Sequence, residues 1–443
     1  MNIITENIEY IKAKINQSSL SKRLFEGMSW TLIGNVAGKF LQLLAFIFVA
    51  RILGKEEYGQ VGIVRSTVNM FLIFSSVGMG VTATHYIAKY RSSNPYRAYR
   101  IYKFSCKFVL WVGFLVSALV FLFSNYIAVN QLEDIKLGSA LRIGALVLFL
   151  LTISSVQTGA LNGFERFKSV GIITSVNGFV MLLSVVLGSY FWGINGVIAG
   201  MAIAGMVMVF QLHFSLKKSI VEIKNISELQ ENNPLKISNI FYKFSLPAVL
   251  QGLVVIPVLW WAKTFLVKEA GYGEMALYDV AEQWYYLVLF VPNSLSAFIL
   301  PMLTNVNYNG SKNQYNKLLK VNILINIGVT LVIASGVALF SPLIYKFYGN
   351  GFTNHTPLLI LLITVVICSA NNILGQVIIS KGKMWVGFGV NALWGIWLII
   401  FSFVFVGKLQ LGALGLAYSL LGSYTLHSIV QGLAAVRLNK TLD

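Results

Sequence analysis

Residues 30–50, W-T-L-I-G-N-V-A-G-K-F-L-Q-L-L-A-F-I-F-V-A, decide the fold, because this run is long and apolar enough to cross a membrane. A lysine, Lys39, stands in its middle. Asn35, Lys39 and Gln42 are spaced four and three residues apart, so they share one face of a helix. A lysine near the centre of a bilayer costs about 3 kcal/mol on insertion scales. We therefore expect this face to line a bundle interior or a wet cavity.

The helix predicted from this run ends in a short turn, A-R-I-L-G-K-E-E-Y-G, at residues 50–59. An apolar run followed by this turn resembles the start of polysaccharide-repeat-unit (O-antigen type) flippases, which belong to the multidrug/oligosaccharidyl-lipid/polysaccharide exporter superfamily. The stretch T-G-A-L-N-G-F-E-R-F-K-S-V, residues 158–170, is also similar to that family. The resemblance implies a V-shaped cleft with a cationic lumen, and movement of polyprenyl-diphosphate-linked oligosaccharides from the inner to the outer leaflet.

The composition is that of a polytopic membrane protein. The chain has 443 residues, of which 56% are hydrophobic and 11% charged, with a mean hydropathy of +0.73. Soluble domains carry roughly 25% charged residues. The net charge of +18 lies mainly in the loops between apolar segments, so it indicates membrane topology and not nucleic-acid binding.

The apolar segments predict an all-α integral membrane protein with twelve transmembrane helices, arranged as two six-helix halves around a central cleft. Each segment is about 20 residues or more, enough for a hydrocarbon core of ~30 Å. The predicted spans are 28–50, 60–86, 106–128, 138–160, 169–191, 195–215, 242–266, 277–301, 318–341, 356–379, 384–406 and 410–433.

These spans divide the chain into five parts, and the distribution of lysine and arginine orients them. The parts are a cytoplasmic amphipathic N-terminal segment (1–27), an N-terminal half (28–215), a cytoplasmic linker (216–241), a C-terminal half (242–433) and a cytoplasmic tail (434–443). Lysine and arginine concentrate in the alternate loops on the side that holds both termini. The positive-inside rule makes that side cytoplasmic, so we expect a multi-pass protein of the cytoplasmic (inner) membrane.

A short repeat connects the two halves. The turn at residues 50–59 is echoed at residues 262–273, where the first helix of the second half is predicted to turn into its second. Placing Tyr58 and Tyr272 in register makes Arg65 and Asp279 equivalent, and would set them opposite one another across the cleft. Six helices per half is an even number, so the halves are predicted to run parallel about an axis along the membrane normal.

Polar residues inside the predicted helices are the candidate site. The substrate-binding candidates are Lys39, Arg65, Arg142, Asn35, Gln42, Asn69 and Gln283. A diphosphate needs lysine or arginine in a low-dielectric site, and Lys39 lies ~16 Å from the nearer end of its helix, at 1.5 Å per residue. The candidates for an ion-binding or ion-pair site are Asp279, Glu282 and Lys263.

Several interpretations of these residues stay open. Arg142 and Lys263 are close enough to the predicted outer interface to snorkel to it. Arg65 either binds phosphate or pairs with Asp279 as a lock between the halves. Asp279 and Glu282 either pair with cations or bind a coupling ion, H⁺ or Na⁺. They could also be a catalytic carboxylate pair.

The sequence therefore favours a flippase that works by alternating access and is not an enzyme. Its expected partners are a lipid-linked oligosaccharide, membrane lipids, and polysaccharide polymerase and chain-length machinery, without nucleic acid. The cysteines and histidines have no metal-ligand spacing and no phosphate-binding loop for ATP occurs, so no cofactor is expected beyond a coupling ion. The alternatives are a cation-coupled multidrug exporter, which Lys39 disfavours, and a membrane-integral polymerase or ligase, for which the outer connections are short.

Overall fold

The computed structural model describes residues 19–224, 246–296, 312–381 and 383–440, and within these ranges the regular elements are helices. Residues 1–18 of the predicted N-terminal segment, 225–241 of the predicted linker and 441–443 of the predicted tail lie outside the described residues. The helices are α1 (Ser19–Ser76), α2 (Met79–Tyr90), α3 (Pro95–Leu122), α4 (Ser124–Asn130), α5 (Leu137–Gly163), α6 (Phe167–Lys224), α7 (Leu246–Ser296), α8 (Lys312–Leu339), α9 (Ser341–Tyr348), α10 (Thr356–Ser380), α11 (Met384–Ser402), extended by a π-helical turn (Phe403–Lys408), and α12 (Gly412–Lys440).

Three of these helices are hairpins, each made of two helices that meet at a glycine. The breaks fall at Gly54 in α1, at Trp192 and Gly193 in α6, and at Gly271 in α7. All three glycines have positive φ, a conformation that costs glycine little and other residues much. Each hairpin therefore contributes two crossings of the membrane.

Counting the hairpins gives the twelve crossings that the sequence predicts. Eight helices of the described chain are long and apolar enough to span a membrane, and two of these are the hairpins α1 and α6. The third hairpin, α7, adds two more crossings and carries buried charges. The prediction of an all-α membrane protein with twelve helices in two halves is confirmed.

Side-chain contacts show how tightly α1 and α7 fold back. The Arg65 guanidinium lies 4.2 Å from the ring centroid of Phe46 in α1. In α7, Lys263 Nζ lies 2.6 Å from Glu282 Oε2. The second helix of each hairpin therefore returns alongside the first.

The two hairpins α1 and α7 are related by a pseudo-two-fold axis. Gly54 (φ 80°, ψ 176°) and Gly271 (φ 81°, ψ 176°) have the same backbone conformation. When these two glycines are aligned, Gly59 matches Ala276 and Gly62 matches Asp279. Both matched pairs are also in contact: a Cβ on Gly59 would lie 3.2 Å from Ala276 N, and one on Gly62 would lie 3.1 Å from Asp279 Cγ. Contact between equivalent positions is what a two-fold axis between the hairpins produces.

This axis corrects the register predicted from the tyrosines. The residue equivalent to Arg65 is Glu282 and not Asp279, and the residue equivalent to Phe46 is Lys263. The reason is that the glycine with positive φ fixes the turn, whereas the spacing from that glycine to the tyrosine differs between the two hairpins.

The cleft between the halves is closed at the end that holds the glycine turns. Arg51 Nε donates to the carbonyl oxygen of Phe347 at 2.6 Å, and Lys268 Nζ donates to the carbonyl oxygen of Asn130 at 3.0 Å. The Tyr58 ring packs edge-on against the ring of Phe352, with centroids 5.7 Å apart. Toward the opposite end, α2 packs on α3 and α5 of its own half. Among the described residues, the contacts of Arg51, Lys268 and Tyr58 thus join the two halves at the glycine-turn end.

Candidate functional site

A cavity of about 300 Å³ lies between the hairpins α1 and α7, below their closed end. Both hairpins supply polar side chains to it, so it belongs to both halves. Its lining residues are Lys39, Gln42, Leu43, Phe46, Gly62, Arg65, Ser66, Asn69, Lys263, Asp279, Glu282, Gln283, Tyr286 and Leu287. Eight of the ten predicted site residues are in this set.

Glycines in α1 bring the two hairpins close enough to share the cavity. A Cβ on Gly59 would clash with the carbonyl oxygen of Tyr272, at 1.9 Å. A Cβ on Gly62 would crowd the carboxylate of Asp279, at 3.1–3.3 Å. The absence of side chains at these positions lets α7 lie directly on α1 and places Asp279 within reach of Arg65.

Arg65 and Asp279 form an ion pair across the interface between the halves. Arg65 Nη2 lies 2.7 Å from Asp279 Oδ1 and 2.9 Å from Oδ2. Gln283 Nε2, one turn along α7, donates to Asp279 Oδ2 at 2.8 Å and also contacts the hydroxyl of Tyr58. Asp279 is only 2% exposed. The sequence left two interpretations of Arg65 open. The structure shows one of them, an ion pair with Asp279 that connects the two halves.

Lys263 and Glu282 form a second ion pair, within α7. Both side chains are buried, at 8% exposure each, and Nζ lies 2.6 Å from Oε2. Lys263 therefore points into the protein and not to the membrane interface, so the snorkelling interpretation is wrong for this residue. The two carboxylates of the cavity, Asp279 and Glu282, are each paired with a cation.

Lys39 is the cavity cation that has no carboxylate partner among the described residues. It is exposed and lines the cavity, and its ammonium lies 5.7 Å from the ring centroid of Phe290 in the other half. The cavity lining contains three cations, Lys39, Arg65 and Lys263, against two carboxylates. The unbalanced positive charge therefore belongs to Lys39.

Two predicted residues are not brought into the cavity. Arg142 lies at an exposed position of α5, where Nε donates to Ser124 Oγ at 3.2 Å. Asn35 is half-buried one turn before Lys39 and does not line the cavity. Arg142 lies near the start of α5, and Asn35 lies one turn before the part of α1 that lines the cavity. Neither residue therefore reaches the place where α1 and α7 cross.

The structure also adds residues that the sequence did not single out. Phe46 lies beneath the Arg65 guanidinium, and Tyr58 is fully buried against Gln283. Trp260 Nε1 donates to Thr67 Oγ1 at 2.9 Å, which adds a contact between the halves. In sequence, Phe46 and Tyr58 are ordinary members of apolar or turn segments, and only the register between the hairpins identifies them. Within the described chain, no group of three His, Cys, Asp or Glu residues could hold a metal ion.

The chain matches known proteins over most of its length. A family model described as polysaccharide biosynthesis protein matches residues 24–307. The EPS I polysaccharide export inner membrane protein EpsE of Ralstonia nicotianae is 20% identical over 428 residues, covering 92% of this chain and 94% of that protein. The putative O-antigen transporter of Shigella flexneri is 21% identical over 339 residues, covering 73% and 76%. The fold is also that of an inward-facing multidrug resistance MATE family transporter of the MOP superfamily, with TM-score 0.77, 15% identity, and coverage of 91% of this chain and 96% of that chain.

Proposed function

The chain belongs to the polysaccharide biosynthesis protein family, and on that premise we propose that it moves a polyprenyl-diphosphate-linked oligosaccharide repeat unit from the inner to the outer leaflet of the cytoplasmic membrane. The family confirms the resemblance carried by residues 50–59 and makes the protein a multi-pass membrane transporter for polysaccharide export. The observation that carries the finer proposal is Lys39, a cation without a carboxylate partner in a cavity between the two halves.

A diphosphate headgroup suits this cavity because it supplies the negative charge that the cavity lacks. Lys39 offers an ammonium that has no carboxylate partner among the described residues. Arg65 contacts Asp279 through Nη2, and its other two nitrogens have no hydrogen-bond partner in the described part of the chain, so they remain able to donate. Charge-assisted bonds from arginine to phosphate are about twice as strong as neutral ones. Asp279 is the counter-anion of Arg65, and a diphosphate that enters the cavity competes with it.

The closed end and the distribution of positive charge in the loops define the direction of the proposed cycle. The positive-inside rule places the termini, and hence the end of α1 opposite Gly54, in the cytoplasm. The contacts of Arg51, Tyr58 and Lys268 then seal the outer end, and the cavity is loaded from the inner leaflet. Release requires these contacts to break while the two halves rock about the axis between α1 and α7.

The pairing of the carboxylates argues against the two rival functions. A multidrug exporter needs a free carboxylate for a cationic drug, but Asp279 and Glu282 are both neutralised by cations. A polymerase or ligase using these residues as acid and base would likewise need them released from Arg65 and Lys263. These two ion pairs therefore favour the proposed transporter over both rival functions.

Reconstitution tests the proposal directly. Purified protein in proteoliposomes is expected to move a fluorescent polyprenyl-diphosphate sugar between leaflets, detected by its accessibility to a membrane-impermeant quencher, and to leave the glycan chemically unchanged. Empty liposomes and liposomes with an unrelated membrane protein are the controls. Lipid that stays in its leaflet, or a glycan that is lengthened, would contradict the proposal.

The membrane potential should drive this movement. A diphosphate with about two negative charges gains ~4–5 kcal/mol per 100 mV when it leaves a negative interior, since one charge is worth ~2.3 kcal/mol. Flipping in proteoliposomes is expected to accelerate when valinomycin and potassium impose the potential without a proton or sodium gradient. Reversing the potassium gradient is the control and should slow outward movement. A rate that ignores the potential in both directions would refute this prediction.

The Arg65–Asp279 pair should distinguish a binding role of Arg65 from a purely structural one. Arg65→Ala leaves a buried carboxylate unpaired, which destabilises a protein by about 3–5 kcal/mol. The exchanged pair, Arg65→Asp with Asp279→Arg, is expected to recover thermal stability but not transport, because the guanidinium no longer projects from α1. Thermal unfolding and flipping are measured on the two single variants and the exchanged pair. Recovery of transport in the exchanged pair would show that Arg65 is a lock only.

A further inference from the structure

A second buried polar cluster lies in the C-terminal half, on three helices that do not line the cavity. His427 of α12 stands at its centre and is 7% exposed. Its Nδ1 lies 3.3 Å from Asn371 Nδ2 of α10, and its Nε2 lies 3.2 Å from Asn391 Oδ1 of α11. Ionisable side chains inside membrane-spanning helices are rare, and they commonly mark ion or proton pathways.

The two amides beside His427 match a neutral imidazole. With the amide orientations of this structure, Nε2–H donates to Asn391 Oδ1 and Nδ1 accepts from the Asn371 NH₂ group. The imidazole is thus neutral, and both of its nitrogens are satisfied. A simple bridge between helices would need nothing further.

Two buried amide oxygens on α10 and α12 are left without partners in the described part of the chain. Asn371 Oδ1 and Gln431 Oε1 are buried and make no hydrogen bond within the described part of the chain. Asn371 is 5% exposed, and Gln431, one turn after His427 on α12, is 7% exposed. A buried acceptor without a donor costs about 1–3 kcal/mol. The cluster therefore contains more acceptor oxygens than the neutral imidazole uses.

We propose that His427 is a proton-binding site, and that its Nδ1 takes up a proton from hydronium when the Asn371 amide rotates to present Oδ1 to it. The O–H bond of hydronium breaks, an N–H bond forms at Nδ1, and water is released. The hydrogen bond between Nδ1 and the Asn371 NH₂ group is replaced by one from Nδ1–H to Asn371 Oδ1. The two N–H groups of the imidazolium then donate to Asn391 Oδ1 and Asn371 Oδ1.

Among the described residues of this cluster, His427 is the one whose side chain becomes a cation when it takes up a proton. Tyr424 lies on the same helix, with its ring centroid 6.0 Å away, and α7 brings Tyr285 against Cys368 of α10. Helices α10 and α11 contain no acidic or basic residue. On α12 the nearest such residue is Arg437, ten residues on, or ~15 Å at 1.5 Å per residue.

The cluster is connected to the cavity through the next residue on α10. Asn372 donates from Nδ2 to Asn293 Oδ1, near the end of α7, the helix that supplies Asp279 and Glu282 to the cavity. Rotation of the Asn371 amide therefore takes place beside a contact that holds the cavity-lining helix. If the proposed flippase function holds, a proton returning inward through this site adds its charge to the driving force for the outgoing diphosphate.

Nuclear magnetic resonance of ¹⁵N-histidine-labelled protein in nanodiscs tests proton binding without any transported lipid. The His427 signal, assigned by its loss in a His427 variant, is expected to show the neutral Nε2–H form at neutral pH and to become imidazolium on acidification while the protein stays folded. His427→Gln, which keeps amide partners for both asparagines, should remove that signal, whereas His213→Gln, at an exposed site of α6, should leave it. Asn371→Asp is the second variant and should move the titration midpoint to higher pH. A His427 signal that stays neutral until the protein unfolds would overturn the proposal.

Transport supplies the second readout. In proteoliposomes at zero membrane potential, the ratio of flipping rates with and without a pH gradient should fall to one in His427→Gln and stay at the wild-type value in His213→Gln. An unchanged ratio in His427→Gln would refute a role in coupling. A protein that binds the proton but moves no lipid would contradict the proposed flippase function and not the proton site.

Discussion

Lys39→Ala is expected to abolish export of the glycan. The ammonium of Lys39 is the cavity charge that no described carboxylate balances, so its loss leaves the diphosphate with Arg65, which Asp279 already holds. A charge-assisted contact is worth about 1.5–3 kcal/mol, which corresponds to roughly a 10- to 100-fold loss. Complementation of a flippase-null strain and the proteoliposome assay measure this loss.

Two matched variants distinguish a loss of substrate binding from a loss of inserted protein. Insertion should not suffer in Lys39→Ala, because the lysine itself opposes insertion by about 3 kcal/mol. Lys39→Arg keeps the charge and should retain part of the activity. Arg142→Ala removes a cation outside the cavity and should leave transport near the wild-type level. Full export by Lys39→Ala at a normal protein level would overturn the proposed binding site.

A disulfide across the closed end should stop transport reversibly. A Cβ on Gly351, in the loop after α9, would lie 3.2 Å from Lys55 Cβ of α1, close to the ~3.5–4.5 Å found between the Cβ atoms of disulfides. The variant Lys55→Cys with Gly351→Cys is therefore expected to cross-link the two halves on oxidation. Flipping should fall to the background of empty liposomes and return when a reductant is added, because alternating access requires this end to open.

A cross-link within one half is the matched control. A Cβ on Gly205 of α6 would lie 3.2 Å from Leu150 Cβ of α5, the same distance inside the N-terminal half. Leu150→Cys with Gly205→Cys should cross-link without blocking transport if the halves move as units. The single variants report any contribution of the native Cys106 and Cys368. Undiminished flipping by a fully cross-linked Lys55–Gly351 pair would contradict the alternating-access cycle.

The sequence predicted the helices well because the membrane makes their signal simple. Each crossing needs an apolar run of about 20 residues, and such runs are visible without knowledge of packing. The boundaries were less accurate. The first helix begins at Ser19, before the predicted residue 28, whereas the predicted turn at residues 50–59 is found at Gly54. The apolar residues mark only the part of a helix that lies in the bilayer, whereas the hydrogen-bonded helix extends beyond the bilayer.

The residues of the cavity were predictable in part, because of the cost of placing charge in a bilayer. Charged residues are so costly in a bilayer that Lys39, Arg65, Asp279 and Glu282 had to face one another or a cleft. The predicted opposition of Arg65 and Asp279 is observed as an ion pair, although the repeat equivalence taken from Tyr58 and Tyr272 differs by three residues from the one set by Gly54 and Gly271. Phe46 and Tyr58 give no signal of their own, because aromatic residues at helical spacing are common in any membrane helix.

Because the turns at Gly54 and Gly271 have the same conformation, the two hairpins that frame the cavity have nearly the same backbone. The two hairpins therefore differ in a few side chains that line the cavity. Phe46 and Arg65 of α1 are an aromatic ring and a cation. At the equivalent places in α7, Lys263 and Glu282 are a cation and an anion. Under the proposed function, the two similar hairpins would let the halves rock, and the difference between these two equivalent positions would orient a diphosphate headgroup in the cavity.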